Sequence, residues 1–305
     1  MTKNDDTIPD PMSDVFTASL WSAPKNEHLL VSFINSVRLD SGQLPIVQAK
    51  VLNPFNIKEF DASKGIILDV RAKDESNRLY DVEVQTSSHP AFPNRMLDYW
   101  AESFSSQLKS GMEYAELRQV LSIILSDFRI FPQLENIHNI FEIRAREKPS
   151  FVMSDAFQMH VLRVFEVREG DPAKQSLLCR DLRDWLLFFA HGGKLSEAEM
   201  SNITDNNPVI QEVYCEMQRF YSNPEAREKA RQRRRFLVDF NLGMTASEAK
   251  GQARTILFYL QRRFGIVPLD LENRLLSMSD IGYLDRLRDL SFDCNSLDEF
   301  ESGLV

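Results

Sequence analysis

The sequence predicts an α/β protein, and three observations predict it. Apolar residues recur at helical spacing early in the chain, with Leu29, Leu30, Phe33, Ile34 and Val37 on one side of a helix. Short runs rich in strand formers follow, bounded by turn residues and with one helical stretch set among them. After Gly170-Asp171-Pro172 the pattern is helical throughout. Strands and helices mixed within one stretch of chain pack as layers around a sheet, and a purely helical tail is an appendage to it.

Taken in order, residues 1–12, with Pro9 and Pro11, read as a loose tail, and helical periodicity covers 13–38. Strands are expected at Leu44–Leu52, Gly65–Lys73 and Leu79–Thr86. Pro90 and Pro93 mark the start of a helix over Asn94–Gly111, where Met96, Leu97, Trp100, Phe104 and Leu108 share one side and Gly111 supplies a stop. Strands resume at Val120–Phe128, Ile137–Arg144 and Phe157–Val167, which gives an α-β-β-β-α-β order within a core of about 13–170. Ser176–Ala190, ended by Gly192-Gly193, and Pro208–Tyr221 are amphipathic helices of an extension over 171–222. Asn223-Pro224 then marks a break. The expected division is therefore 1–222 for the first domain and 223–305 for a basic linker and a small helical domain.

The chemistry concentrates in Ile66–Gln85. Asp69 follows three apolar residues, so it is at least partly buried, and a buried carboxylate without a partner is costly. In strand geometry Asp81, Glu83 and Gln85 share one face, while Tyr80, Val82 and Val84 line the other. If the loop between the strands is Glu75–Asn77, Asp69 stands opposite Glu83 and Arg71 opposite Asp81; if it is only Ser76-Asn77, Asp69 stands opposite Val84 instead. Two carboxylates about 5 Å apart at Cβ repel unless a cation or protons compensate. Mg²⁺, held by one or two carboxylates plus waters and phosphate oxygens, is the natural compensation. The bland reading of the same residues is a surface hairpin in which Arg71 and Asp81 form an ordinary cross-strand pair.

The segment resembles the PD-(D/E)XK nuclease superfamily, in which one strand supplies an acid and the next an acid-x-Lys triplet. Here the triplet is Glu83-Val84-Gln85, and an acid-x-Gln triplet is similar to that of the recombination-promoting nuclease and putative transposase family. Arg95, Tyr99, Gln107-Leu108, Gly111 and Tyr114 reproduce that family's spacing downstream, and Ser13-Asp14 to Trp21 followed by Asn26–Val37 are similar to its two opening helices. The Lys that follows the family's opening Asp-x-x-Phe is absent, its place falling near Ala18. The resemblance implies a restriction-endonuclease-like core with a helical C-terminal extension and hydrolysis of DNA. It implies Mg²⁺ held by Asp69, Glu83 and the Val84 carbonyl, with water activated by the metal. Gln85 cannot act as a base, because an amide does not titrate; it can only position water or phosphate. Asp14 is a further candidate acid, with helix capping its other reading. Arg95 and Gln107 are candidate backbone contacts to DNA, or alternatively hydrogen bonds between helices. The rival function is a catalytically silent DNA-binding or regulatory protein on the same scaffold.

Composition agrees with a globular chain. At 305 residues it is long enough for a core plus an appendage, and 43% hydrophobic with 27% charged residues excludes a disordered chain. No apolar run is long enough to span a bilayer, and MTKNDDTIPDP is acidic where a signal peptide is basic and then apolar, so a cytoplasmic protein without a membrane partner is expected. Cys179, Cys215 and Cys294 lack disulfide or zinc spacing, and His28, His89, His138, His160 and His191 form no ligand pair at helical spacing. No Gly-rich phosphate loop, dinucleotide fingerprint or nucleophile elbow occurs, so no small organic cofactor is expected and metal-assisted phosphoryl chemistry remains. The net charge of −9 is offset locally by Arg227–Arg235, six basic residues in nine that include Arg233, Arg234 and Arg235. That stretch is either a DNA contact or a solvated helix or linker. From Ala246 the chain resembles a small helical domain of unknown function that often closes transposase-like chains, as in Leu260-Gln261-Arg262-Arg263-Phe264-Gly265. Its leucines, Leu257, Leu260, Leu284, Leu287 and Leu290, read as internal packing, with a homodimer through them the alternative.

Overall fold

The computed structural model describes residues 8–61, 69–88 and 91–304. Helix α1 (Asp14–Ser22) begins where the Ser13 hydroxyl accepts the Phe16 amide, and α2 (Glu27–Asp40) follows after a 3-10 turn at Pro24–Asn26. The expected stripe of α2, from Leu29 to Val37, is buried. Residues 8–12 do not behave as a tail: Met12 enters the core, and a side chain at Gly193 would strike the Pro9 carbonyl. The rest of the expected tail, residues 1–7, lies outside the described residues.

The strands are β1 (Ala49–Val51), β2 (Asp69–Asp74), β3 (Leu79–Gln85), β4 (Val120–Ser126), β5 (His138–Glu142), β6 (Arg144–Ala145), β7 (Lys148–Val152) and β8 (Phe157–Arg163). Six form a mixed sheet in the order β1-β2-β3-β4-β8-β5, parallel at β3-β4 and β4-β8 and antiparallel elsewhere; β6 and β7 form a separate ribbon. The strand expected at 44–52 is reduced to β1. Side chains claim the backbone before it: Asn35 bonds both the amide and the carbonyl of Ile46, and Glu75 accepts from the Val47 and Gln48 amides. Residues 65–68 of the second expected strand lie outside the described residues. The strand expected at 157–167 stops at Arg163 and turns into α4 (Val164–Glu169), where Val164 and Val167 are both buried and Arg163 pairs with Glu166. Helix α3 (Phe92–Ser105) ends before Gly111, because the Gln107 side chain bonds both the amide and the carbonyl of Arg118 and draws the chain into a turn.

After short α5 (Pro172–Gln175) come α6 (Arg180–His191), α7 (Glu197–Ile203) and α8 (Pro208–Ser222). Helices α1, α2, α6 and α8 cover one face of the sheet, where Trp21 stacks on Phe33 at 4.9 Å and Trp185 meets Phe33 edge-on at 5.3 Å. Cutting Phe33 to Ala in such a packed group costs about 3–5 kcal/mol. Helix α3 covers the other face through Phe92 and Met96, which pack on Ile124, Phe157, Met159 and Val161. Strand alternation sorts the hairpin accordingly: Val70, Ala72, Tyr80, Val82 and Val84 enter the first core, leaving Asp69, Arg71, Asp81 and Glu83 under α3.

The chain divides into compact units at 1–234 and 235–305. The stretch expected as a linker is helical, since α9 (Pro224–Phe264) is one helix of 41 residues. In the second unit, α10 (Leu269–Ser277), α11 (Ile281–Asp293) and α12 (Leu297–Ser302) pack with the end of α9 around Leu257, Leu260, Leu271, Leu284, Leu287 and Phe300. Arg263 donates to the Ser291, Phe292 and Cys294 carbonyls at the end of α11, and Gly265, at φ +89°, ends α9. Among the described residues no helix is long and apolar enough to cross a membrane.

Candidate active site

The turn between β2 and β3 decides what faces what. Asp74 accepts the Ser76 and Arg78 amides at 2.8 and 2.9 Å, and Asn77 takes the left-handed conformation at φ 62°. Asn tolerates that conformation better than other side chains, so a three-residue loop closes over 75–77. Asp74 is anchored from below by the Tyr80 hydroxyl at 2.9 Å and the Arg78 Nε at 2.6 Å. The resulting register sets Asp69 opposite Glu83 and Arg71 opposite Asp81. Of the two loops open to the sequence, the longer one forms.

These side chains line a cavity of about 220 Å³. Strand β4 adds Ser122, paired with Asp81, and Ile124, paired with Glu83. Helix α3 adds Met96, Tyr99, Glu102 and Ser103, which its periodicity brings to one side. Glu83 is 9% exposed. Its Oε1 accepts the Gln85 amide, and Arg95 Nη2 lies 3.6 Å from the same oxygen. Burial outweighs both contacts and, with Asp69 and Asp81 nearby, pushes the Glu83 carboxyl up to about 7. Burial also raises Asp69, with Glu102 adding to the effect and Arg71 opposing it. Burial raises Asp81 against the pull of Ser103 and Arg71, and Asp81 Oδ2 is buried with no hydrogen-bond partner. Arg71 donates through Nη2 to Ser103 at 2.8 Å and lies 3.4 Å from Asp81 through Nε.

The other expected site residues are dispersed. Asp14 does not line the cavity: its Oδ2 is paired with Arg233 Nε at 2.8 Å, and Ser13, not Asp14, caps α1. That pair also withdraws Arg233 from solvent, since its side chain is 6% exposed. Arg234 is half-buried and Arg235 exposed on the same helix. Gln107 holds the turn at Arg118, as described above. Arg95 is not among the described lining residues, and its guanidinium lies over Phe92 at 4.8 Å and Tyr99 at 5.9 Å. The Val84 side chain packs in the opposite core, which leaves only its main chain for the site. His89 lies outside the described residues, and His138 joins Asp40 to His160 in a buried chain of hydrogen bonds at 2.6 and 2.7 Å. Sequence reasoning missed Glu102 and Ser103 as lining residues. Their signal was present, because they stand three and four positions beyond Tyr99 on the helix that carries Arg95.

Among the described residues no three His, Cys, Asp or Glu side chains form a ready metal-binding group. The donor set nevertheless suits a hard divalent cation. It consists of carboxylate oxygens grouped in one buried cavity, one of them orphaned at Asp81; burial disfavours their charged forms, and a cation there would compensate them. No curated protein and no solved structure matches the chain. The model of the PD-(D/E)XK nuclease family transposases matches residues 11–247, and the chain belongs to that family.

Proposed function

We propose that this protein is a metal-dependent endonuclease that hydrolyses DNA phosphodiesters, with Asp69, Glu83 and the Val84 main-chain carbonyl as the ligands of one Mg²⁺. The observation that supports it is the pairing of Asp69 with Glu83 on the face of the sheet buried under α3, in a chain of nuclease family. When bound, the metal polarises the phosphate and lowers the pKa of a water. The chain's own residues do the rest. Asp69 and Glu83 hold the cation from two strands whose register the 75–77 loop pins. Gln85 donates to Glu83 and so orients its carboxylate. Arg95, beside Glu83 and 36% exposed, would meet a phosphate oxygen. In the step itself the water gives up a proton as its oxygen bonds to phosphorus, one ester P–O bond breaks, and the leaving oxygen takes up a proton, which yields a phosphomonoester and an alcohol.

One observation favours a second reading, a silent scaffold that binds DNA without cutting it. Glu83 already has partners in Gln85 and Arg95, so the site is tolerable without a metal. Incubation with supercoiled plasmid separates the two. The nuclease reading expects nicked or linear product with Mg²⁺ and none with chelator, and loss of product in Glu83→Gln. Binding of plasmid by the wild type with no product in Mg²⁺ selects the scaffold.

A further inference from the structure

Four carboxylates line the cavity, from Asp69, Asp81, Glu83 and Glu102, and the cation among its described lining residues is Arg71. A phosphodiester entering there meets negative charge on most sides. Members of the superfamily usually carry a lysine at the last position of the triplet, where this chain has the neutral Gln85. Arg95 lies against Glu83 from α3, at 3.6 Å, and Arg71 is the positive charge within the lining itself.

Its placement suits the task. Arg71 is two residues beyond Asp69 on the same face of β2, a rise of about 7 Å along the strand, within reach of a long side chain. Its guanidinium is held from α3 by Ser103 at 2.8 Å and steered by Asp81 at a longer 3.4 Å. A guanidinium has five N–H donors, and these contacts engage Nε and Nη2. An arginine serving Asp81 alone would span both carboxylate oxygens, the bidentate geometry the group prefers, whereas Oδ2 of Asp81 is left without a partner. The side chain is 38% exposed, so its remaining donors are open to a ligand.

We propose that Arg71 is a catalytic residue that donates to a non-bridging oxygen of the phosphodiester held at Asp69 and Glu83, supplying from β2 the positive charge that Gln85 does not. The identity of the ligand rests on the nuclease reading. The role follows from charge placement: a donor aimed at phosphate oxygens in a largely buried site stabilises charge that grows in the transition state, and loss of one such donor lowers kcat by about 10²- to 10³-fold.

The test compares Arg71→Met, which keeps the length of the stem, with Arg71→Lys, which restores the charge. On plasmid with Mg²⁺, Arg71→Met should lose about 10²-fold or more in kcat/KM, and Arg71→Lys should recover part of that loss. A purely structural role expects Arg71→Lys to be no better than Arg71→Met, because lysine cannot reproduce the forked contact to Ser103 and Asp81; that result overturns the proposal. A second readout is independent of cutting. Inorganic phosphate with Mg²⁺ should raise the melting temperature of the wild type, not of Arg71→Met, and partly of Arg71→Lys. If the wild type fails to cleave but shows this pattern, the nuclease reading falls and Arg71 stands as a phosphate contact. A phosphate shift equal in the wild type and Arg71→Met, or absent from both, overturns the assignment of Arg71.

Discussion

Replacing Glu83 by Gln keeps the shape of the side chain and deletes a charge that the metal-free fold carries at a cost. Burial, with Asp69 and Asp81 nearby, raises this carboxyl from 4.5 to about 7. A carboxyl that holds its proton more tightly in the folded state stabilises the fold fully below the unfolded value, and that contribution is lost as pH rises through the folded one. The separation between the two values is worth on the order of 3 kcal/mol. Glu83→Gln carries no titration, so in chelator it should match the wild type below pH 4.5 and exceed it above pH 7 by up to that amount. That separation already includes the opposing pull of Arg95, 3.6 Å away. Magnesium should close most of that gap, because a ligand at 100 times its Kd adds about 2.7 kcal/mol to a protein that binds it and nothing to one that does not. Urea unfolding across pH, with chelator and with Mg²⁺, measures all of this. A variant less stable than the wild type above pH 7 in chelator, or equal stabilisation of both by Mg²⁺, would refute the reasoning.

Other expectations follow from the surrounding structure. Arg233→Ala removes the partner of the partly buried Asp14 at 2.8 Å and should cost about 1–3 kcal/mol in thermal unfolding, with the double variant Asp14→Ala/Arg233→Ala costing less. The same substitution should leave the salt dependence of DNA binding unchanged, whereas Arg234→Ala/Arg235→Ala should flatten the slope by up to about 0.9 per lost phosphate contact if the basic helix meets duplex DNA. Asn77→Gly should be tolerated, while Asn77→Val, forced into φ 62°, should cost about 1–2 kcal/mol and lower cleavage as the register loosens. Tyr80→Phe removes a donor from Asp74 beneath the turn and should cost about 1–3 kcal/mol by the same measurement.

The hairpin was legible to within one choice. Alternation put Asp81, Glu83 and Gln85 on one face, but the register depended on whether Asp74 accepts the Ser76 and Arg78 amides and Asn77 turns left-handed. Both depend on Tyr80 and Arg78 fixing the Asp74 carboxylate, a contact that periodicity does not reveal. The apolar stripe of α2 read correctly because burial on one side of a helix is a local pattern. Val164 and Val167 misled because two apolar residues three apart fit a strand's end as well as one turn of helix, and packing against the first core decided it. The basic run was visible, yet nothing in it marks Arg233 as different from its neighbours; that distinction comes from Asp14, 219 residues away. Glu102 and Ser103 follow from helical spacing, three and four positions beyond Tyr99, but lie outside the family spacing that marks Arg95 and Tyr99.

Diffraction from crystals soaked in Mn²⁺, an anomalous stand-in for Mg²⁺, tests the central claim most directly. The expected result is one strong site bridging the carboxylates of Asp69 and Glu83, with oxygens at about 2.1 Å, that disappears in Glu83→Gln. Manganese bound elsewhere on the chain with this pair empty, or the same site persisting in Glu83→Gln, would contradict it.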